Sequence, residues 1–134
     1  MQEHQYWWYR QTMAETFQRI RGEPQYPWNA IGDFLDEWRR SPLDDRLPLI
    51  QEGLSWQEAS EVFQWAVLCA ALVDYLCQQE HLTPPLWVQE PLLTLPNPWY
   101  LYPGRQLRQW QETQTPEPFT RRNIFGGDRI ALRV

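Results

Sequence analysis

The sequence predicts a small, mostly all-α fold, a helical bundle carrying a Pro/Trp-rich irregular arm and an ordered C-terminal tail. Three observations predict it. Apolar residues recur at three- and four-residue spacing over 3–21, 28–40 and 56–80, the repeat of one helix face. Six prolines fall within 82–104, a density that no long helix tolerates. The chain has 134 residues, the size of one domain, and can bury a core without metal or disulfide staples. It is therefore read as one helical domain over 1–134, with the arm at 82–104 and a basic segment at 105–134.

The elements follow in order. In EHQYWWYRQTMAETFQRIRG, residues Tyr6, Tyr9, Met13, Phe17 and Ile20 share one face. Arg19 and Arg21 occupy the last turn, where the helix dipole favours cations, and Gly22 supplies the stop. Trp7 and Trp8 are adjacent and cannot both lie on that stripe, so one faces another element, a partner or solvent. WNAIGDFLDEWRRS reads as a second helix with Ile31, Phe34, Leu35 and Trp38 inward, Asp33, Asp36 and Glu37 outward, and Pro42 ending it. SPLDDRLPLIQEG reads as a short helix that Pro48 kinks or divides.

The central helix is expected over 56–80. Ser55 and Glu58 have the spacing of a capping box. Trp56, Ala59, Phe63, Ala66, Val67, Ala70, Val73 and Cys77 then make a stripe, widened by Val62, Leu68, Leu72 and Leu76. Such a helix is buried on most sides, and Ala66, Cys69, Ala70 and Ala71 let its neighbours approach closely. The arm is expected to be extended or turn-rich, presenting Trp87, Trp99, Tyr100 and Tyr102. A short helix is expected around GRQLRQWQET. FTRRNIFGGDRIALRV then passes through a turn with Gly126 or Gly127 at positive φ and Asp128 as a cap.

Charge is segregated. Residues 1–60 carry ten acids and six arginines, 61–100 carry four acids and no base, and 101–134 carry three acids and six arginines. The acidic body repels phosphates and so disfavours broad nucleic-acid or membrane binding. All twelve basic residues are arginine, which stacks on aromatic rings and grips carboxylates with two donors at once. No apolar run reaches the length of a membrane span, and no secretory signal is visible at MQEHQYWWYR, which makes a cytoplasmic protein the expectation.

Catalytic patterns are scarce. Cys69 and Cys77 lie eight apart, matching neither a redox pair nor a zinc knuckle, and a Cys77/His81 site would lack a third ligand. Neither a metal nor a cofactor is expected. GGD lacks the lysine and the strand–helix context of a phosphate loop, and lacks the continuation found in diguanylate cyclases. Asp33, Asp36 and Glu37, like Asp44 and Asp45, read as solvated acids rather than as acid–base pairs. No serine or cysteine sits in a nucleophile motif. No catalytic residue is assigned, and a non-enzymatic role is the expectation.

What remains is a surface. Trp7, Trp8, Trp99, Tyr100, Arg121, Arg122, Asn123 and Phe125 combine the aromatic and arginine chemistry of interface hot spots. They are the candidate partner-binding residues, for another protein or for a second copy in a homodimer. The same basic segment, with Arg105, Arg108 and Trp110, could instead stack on and neutralise a nucleic acid, which is the runner-up reading. These residues could also lock the tail to the chain's own acidic body, and an enzyme with an unrecognised site is the third reading.

PWNAIGDFLDEW, WAVLCAALVDYLCQQEHLTPPLWV and PEPFTRRNIFGGDRI resemble a family of short, uncharacterised bacterial proteins, frequent in cyanobacteria. The last block also resembles C-terminal segments of bacterial helix-turn-helix proteins of antitoxin or regulator type, although no helix-turn-helix precedes it here. The likeness covers 26–130 and implies an interaction role with no catalytic residue; a non-enzymatic, antitoxin-like or adaptor partner of another bacterial protein is the leading expectation.

Overall fold

The computed structural model describes residues 10–131. Its helices are α1 (Met13–Gly22), α2 (Pro27–Arg40), α3 (Phe63–Gln79), α4 (Arg108–Gln114) and the single turn α5 (Glu117–Thr120). Two short strands, β1 (Trp99–Tyr100) and β2 (Ile124–Phe125), pair in parallel. The fold is mostly helical, as the periodicity predicts.

α1 begins later than the apolar pattern suggests. Thr12 accepts the Glu15 N–H at 3.1 Å while the Glu15 carboxylate accepts the Thr12 N–H at 3.0 Å. That reciprocal pair satisfies donors that the first turn would leave open, so the helix starts at Met13 rather than near residue 3. Met13, Phe17 and Ile20 are buried, while Tyr6 and Tyr9 lie outside the described residues.

α2 keeps Ile31, Phe34, Leu35 and Trp38 inside. Glu37 departs from the outward reading: it is 1% exposed. Its carboxylate meets Arg10 at 3.5 Å and Arg40 at 2.9 Å, and Arg10 also donates to Ser41 Oγ at 2.6 Å. Two guanidiniums give this carboxylate the partners that a buried charge requires. Asp45 is likewise buried rather than solvated, and its carbonyl accepts from Arg10 at 3.2 Å. Around Pro48 the chain makes two short 3₁₀ turns, Leu43–Asp45 and Leu47–Leu49, in place of one helix.

α3 is the central element, with twelve buried residues on all sides. Its start corrects the Ser55/Glu58 capping box, which does not form. Ser60 Oγ accepts the Val62 N–H at 3.2 Å and the Ser60 N–H bonds to the Gln57 carbonyl at 3.0 Å, so turns occupy 58–62. A serine that captures a nearby backbone N–H offers the chain an alternative to the helix. Ala59 is accordingly exposed, and Trp56 packs on Phe63 from outside the helix, with centroids 5.6 Å apart.

Beyond α3 the arm is irregular, with one 3₁₀ turn at Leu86–Gln89 whose Trp87 indole donates to the Ile50 carbonyl at 2.8 Å. At the tail, Gly127 has φ 74°, as expected for the Gly-Gly turn. A Cβ there would sit 2.2 Å from the Trp110 ring, so only glycine fits. Asp128 lies inside the 3₁₀ turn Gly127–Arg129 and makes no cap; Thr115 Oγ1 instead accepts the N–H groups of Gly126 and Gly127 at 3.1 and 2.7 Å.

Candidate functional site

Asp74 is the one acid on the otherwise apolar body of α3 and is nearly buried. Its Oδ2 accepts from Arg122 Nη1 at 3.1 Å and from Arg121 Nη2. Arg122 also donates to the Pro118 carbonyl at 2.7 Å and to the Val88 carbonyl at 2.9 Å. One guanidinium thus ties α3, the arm and α5 together. Burial lowers the Arg122 pKa from its ordinary value, and the hydrogen bond to Asp74 opposes that shift.

Next in the chain, Asn123 adopts φ 67°, a left-handed conformation that asparagine tolerates better than most residues. Its Nδ2 donates to the Leu95 carbonyl at 2.6 Å, and its own carbonyl accepts the Trp99 N–H at 2.8 Å. The strands then run in register, Trp99 beside Ile124 and Tyr100 beside Phe125. Phe125 stacks on Tyr100 with centroids 5.1 Å apart, and the Arg108 guanidinium lies 4.3 Å from the Tyr100 ring centroid. Tyr100 donates its hydroxyl proton to Glu112 Oε2 at 3.1 Å.

Six of the eight candidate residues therefore converge, and they converge on the chain itself. Arg122, 4% exposed, points into the protein and lies beyond a partner's reach in this conformation. Arg121 stays partly exposed beside Glu117 at 3.8 Å, and Trp99, Tyr100 and Phe125 are half-buried. Trp7 and Trp8 lie outside the described residues.

Trp99 leads to a feature that the linear sequence does not show. It meets Trp65 of α3 edge to face, with centroids 5.0 Å apart, and Trp65 meets Trp28 of α2 in the same manner at 5.4 Å. Three indoles from three elements thus form a seam that ends at Trp28, 43% exposed. The turns before α3, its first residues and the arm wall a cleft of about 330 Å³: Glu58, Ser60, Glu61, Phe63 and Gln64 on one side, Thr94, Leu95 and Pro96 on the other. The cleft carries two carboxylates and no arginine. Only tertiary structure brings these indoles together, so periodicity had no means of pairing them. Asp74 did leave a sequence signal, as a lone acid within an apolar helix.

Among the described residues, no group of three or more His, Cys, Asp or Glu could hold a metal ion. Cys69 and Cys77 are free buried thiols. Burial pushes the Cys69 pKa up to about 12, and burial followed by the Asp74 charge pushes that of Cys77 up to about 11. Both thiols are held in the protonated form, which is a poor nucleophile. Compared with protein-family models, curated proteins and solved structures, the chain matches none.

Proposed function

We propose that this chain is a non-enzymatic, cytoplasmic protein-binding module, an adaptor or antitoxin-like partner of another protein. Its docking surface is the Trp28–Trp65–Trp99 seam with the acidic cleft beside it. The observation that carries this reading is the edge-to-face packing of three indoles up to a partly exposed Trp28. Rings already held by one another lose little freedom on binding, and tryptophan is the residue most enriched at interface hot spots. Glu58 and Glu61 favour a partner segment bearing arginine or lysine, whose cation can lie on an indole face.

The runner-up, a nucleic-acid-associated regulator, draws less support. Its two central arginines, Arg121 and Arg122, both meet Asp74, so a phosphate would have to compete with a resident carboxylate. Among the described residues, no helix is long and apolar enough to cross a membrane.

The test is affinity purification of the tagged chain, its Trp28→Ser form and its Arg105→Gln form, with mass spectrometry of what each retains. The expected result is a protein carried by the parent chain and by Arg105→Gln, and lost with Trp28→Ser, whose circular dichroism stays native. An unchanged set with Trp28→Ser would refute the seam. Tight, salt-sensitive binding of labelled DNA or RNA at about 150 mM salt would favour the nucleic-acid reading instead.

A further inference from the structure

A second cavity, of about 210 Å³, lies where the end of α1 meets the turns that lead into α3. Phe17, fully buried, and Val62 line its apolar part. Trp56 forms a flat wall, its ring seated on Phe63 at 5.6 Å and tilted 52°. The polar lining is Arg21, Ser55, Gln57 and Ser60, and no Asp or Glu takes part.

Two independent features make this cavity attractive to an anion. The first is Arg21. Its Nη1 donates to the Ser55 carbonyl at 3.3 Å, and among the described residues no carboxylate pairs with it. Arg10, Arg19, Arg40, Arg46, Arg121 and Arg122 each have an acidic partner, whereas Arg21 shares with Arg39, Arg105, Arg108 and Arg129 the lack of one among the described residues, and of these it alone lines this cavity. The second is Ser60, in the turn that leads into α3. Ser60 Oγ already accepts the Val62 N–H, which leaves its own proton free to donate into the cavity.

We propose that this cavity binds a small organic monocarboxylate with a flat apolar body, of the benzoate class. The carboxylate meets the Arg21 guanidinium and the Ser60 hydroxyl, and the ring lies on Trp56 above Phe17. One unpaired guanidinium matches one carboxylate, since the planar fork binds both oxygens at once. The volume falls below the roughly 300–1,000 Å³ of pockets for drug-sized ligands, which selects a single ring over a nucleotide. The cavity shares only Ser60 with the acidic cleft beside the tryptophan seam, so the two sites can be tested separately.

The experiment is calorimetric titration of the full chain with sodium benzoate, alongside benzyl alcohol (the ring without the charge) and sodium acetate (the charge without the ring). Benzoate is expected to saturate with Kd below about 1 mM, and each control to bind at least about tenfold more weakly. Arg21→Gln and Trp56→Leu are each expected to weaken benzoate by about tenfold or more, with native circular dichroism. No saturation by about 10 mM benzoate would overturn the proposal. So would equal binding of benzyl alcohol, or a folded Arg21→Gln chain that binds as the parent does. Should a variant unfold, the comparison of benzoate with its two analogues still decides the matter.

Discussion

Replacing Arg122 with alanine tests whether the C-terminal block is part of the fold. The side chain is buried and makes three hydrogen bonds, to Asp74, Pro118 and Val88. Breaking a buried ion pair by removing one partner costs about 3–5 kcal/mol, because the other charge is left uncompensated. Here Arg121 still reaches Asp74, so the lower end applies, about 3 kcal/mol. For a chain of this length that corresponds to a fall in Tm of about 10 °C. Arg121→Ala should cost about 1 kcal/mol or less, since that guanidinium is 42% exposed and water can replace it. Arg122→Met keeps most of the stem packing and isolates the polar part of the loss. Urea unfolding followed by circular dichroism measures all three. Equal, small losses for Arg121→Ala and Arg122→Ala would refute the reasoning and restore the pair as a free surface. A double Arg121→Ala, Arg122→Ala chain is expected to lose cooperative unfolding of its C-terminal part before that of its helical core.

Two further outcomes follow from the same structure. Thr12→Ala removes a formed capping box and should cost about 1 kcal/mol in urea unfolding. Ser55→Ala, at the box that does not form, should stay within about 0.5 kcal/mol. The buried cysteines set an alkaline limit. Their pKa values are raised in the folded state, so above the ordinary 9.0 the unfolded chain releases protons that the folded chain keeps. The thiol contribution should be level below about pH 9 and be lost between pH 9 and about 12, with Cys69→Ala flattening the fall. Urea midpoints at pH 8 and pH 10 check this; a midpoint that does not move would contradict the burial argument.

Much of the helical architecture was legible in the sequence because local physics writes it there. The inward face of α2, the core of α3 and the break at Pro48 follow from spacing, side-chain size and the missing proline N–H. The Gly-Gly turn was legible for the same reason, as a residue without Cβ is needed where φ is positive and a ring lies close. The helix starts were misread where two sequences offered similar capping signals. TMAE forms a box and SWQE does not, because Ser60 supplies a competing acceptor three residues before α3 begins.

The orientation of charges and rings was settled only by tertiary packing. Glu37 had the pattern of a solvent-facing acid, yet Arg10, 27 positions away, and Arg40 make its burial tolerable. The arginine–asparagine block had the composition of a docking tail. Asp74, 48 positions from Arg122, turns that arginine inward. Trp28, Trp65 and Trp99 come from three elements and meet only when α2, α3 and the arm pack. Sequence by itself determined where helices form and which faces are apolar, since those depend on near neighbours along the chain. Which charges are neutralised, and which aromatics stay available to a partner, depends on groups that only folding brings within a few ångströms.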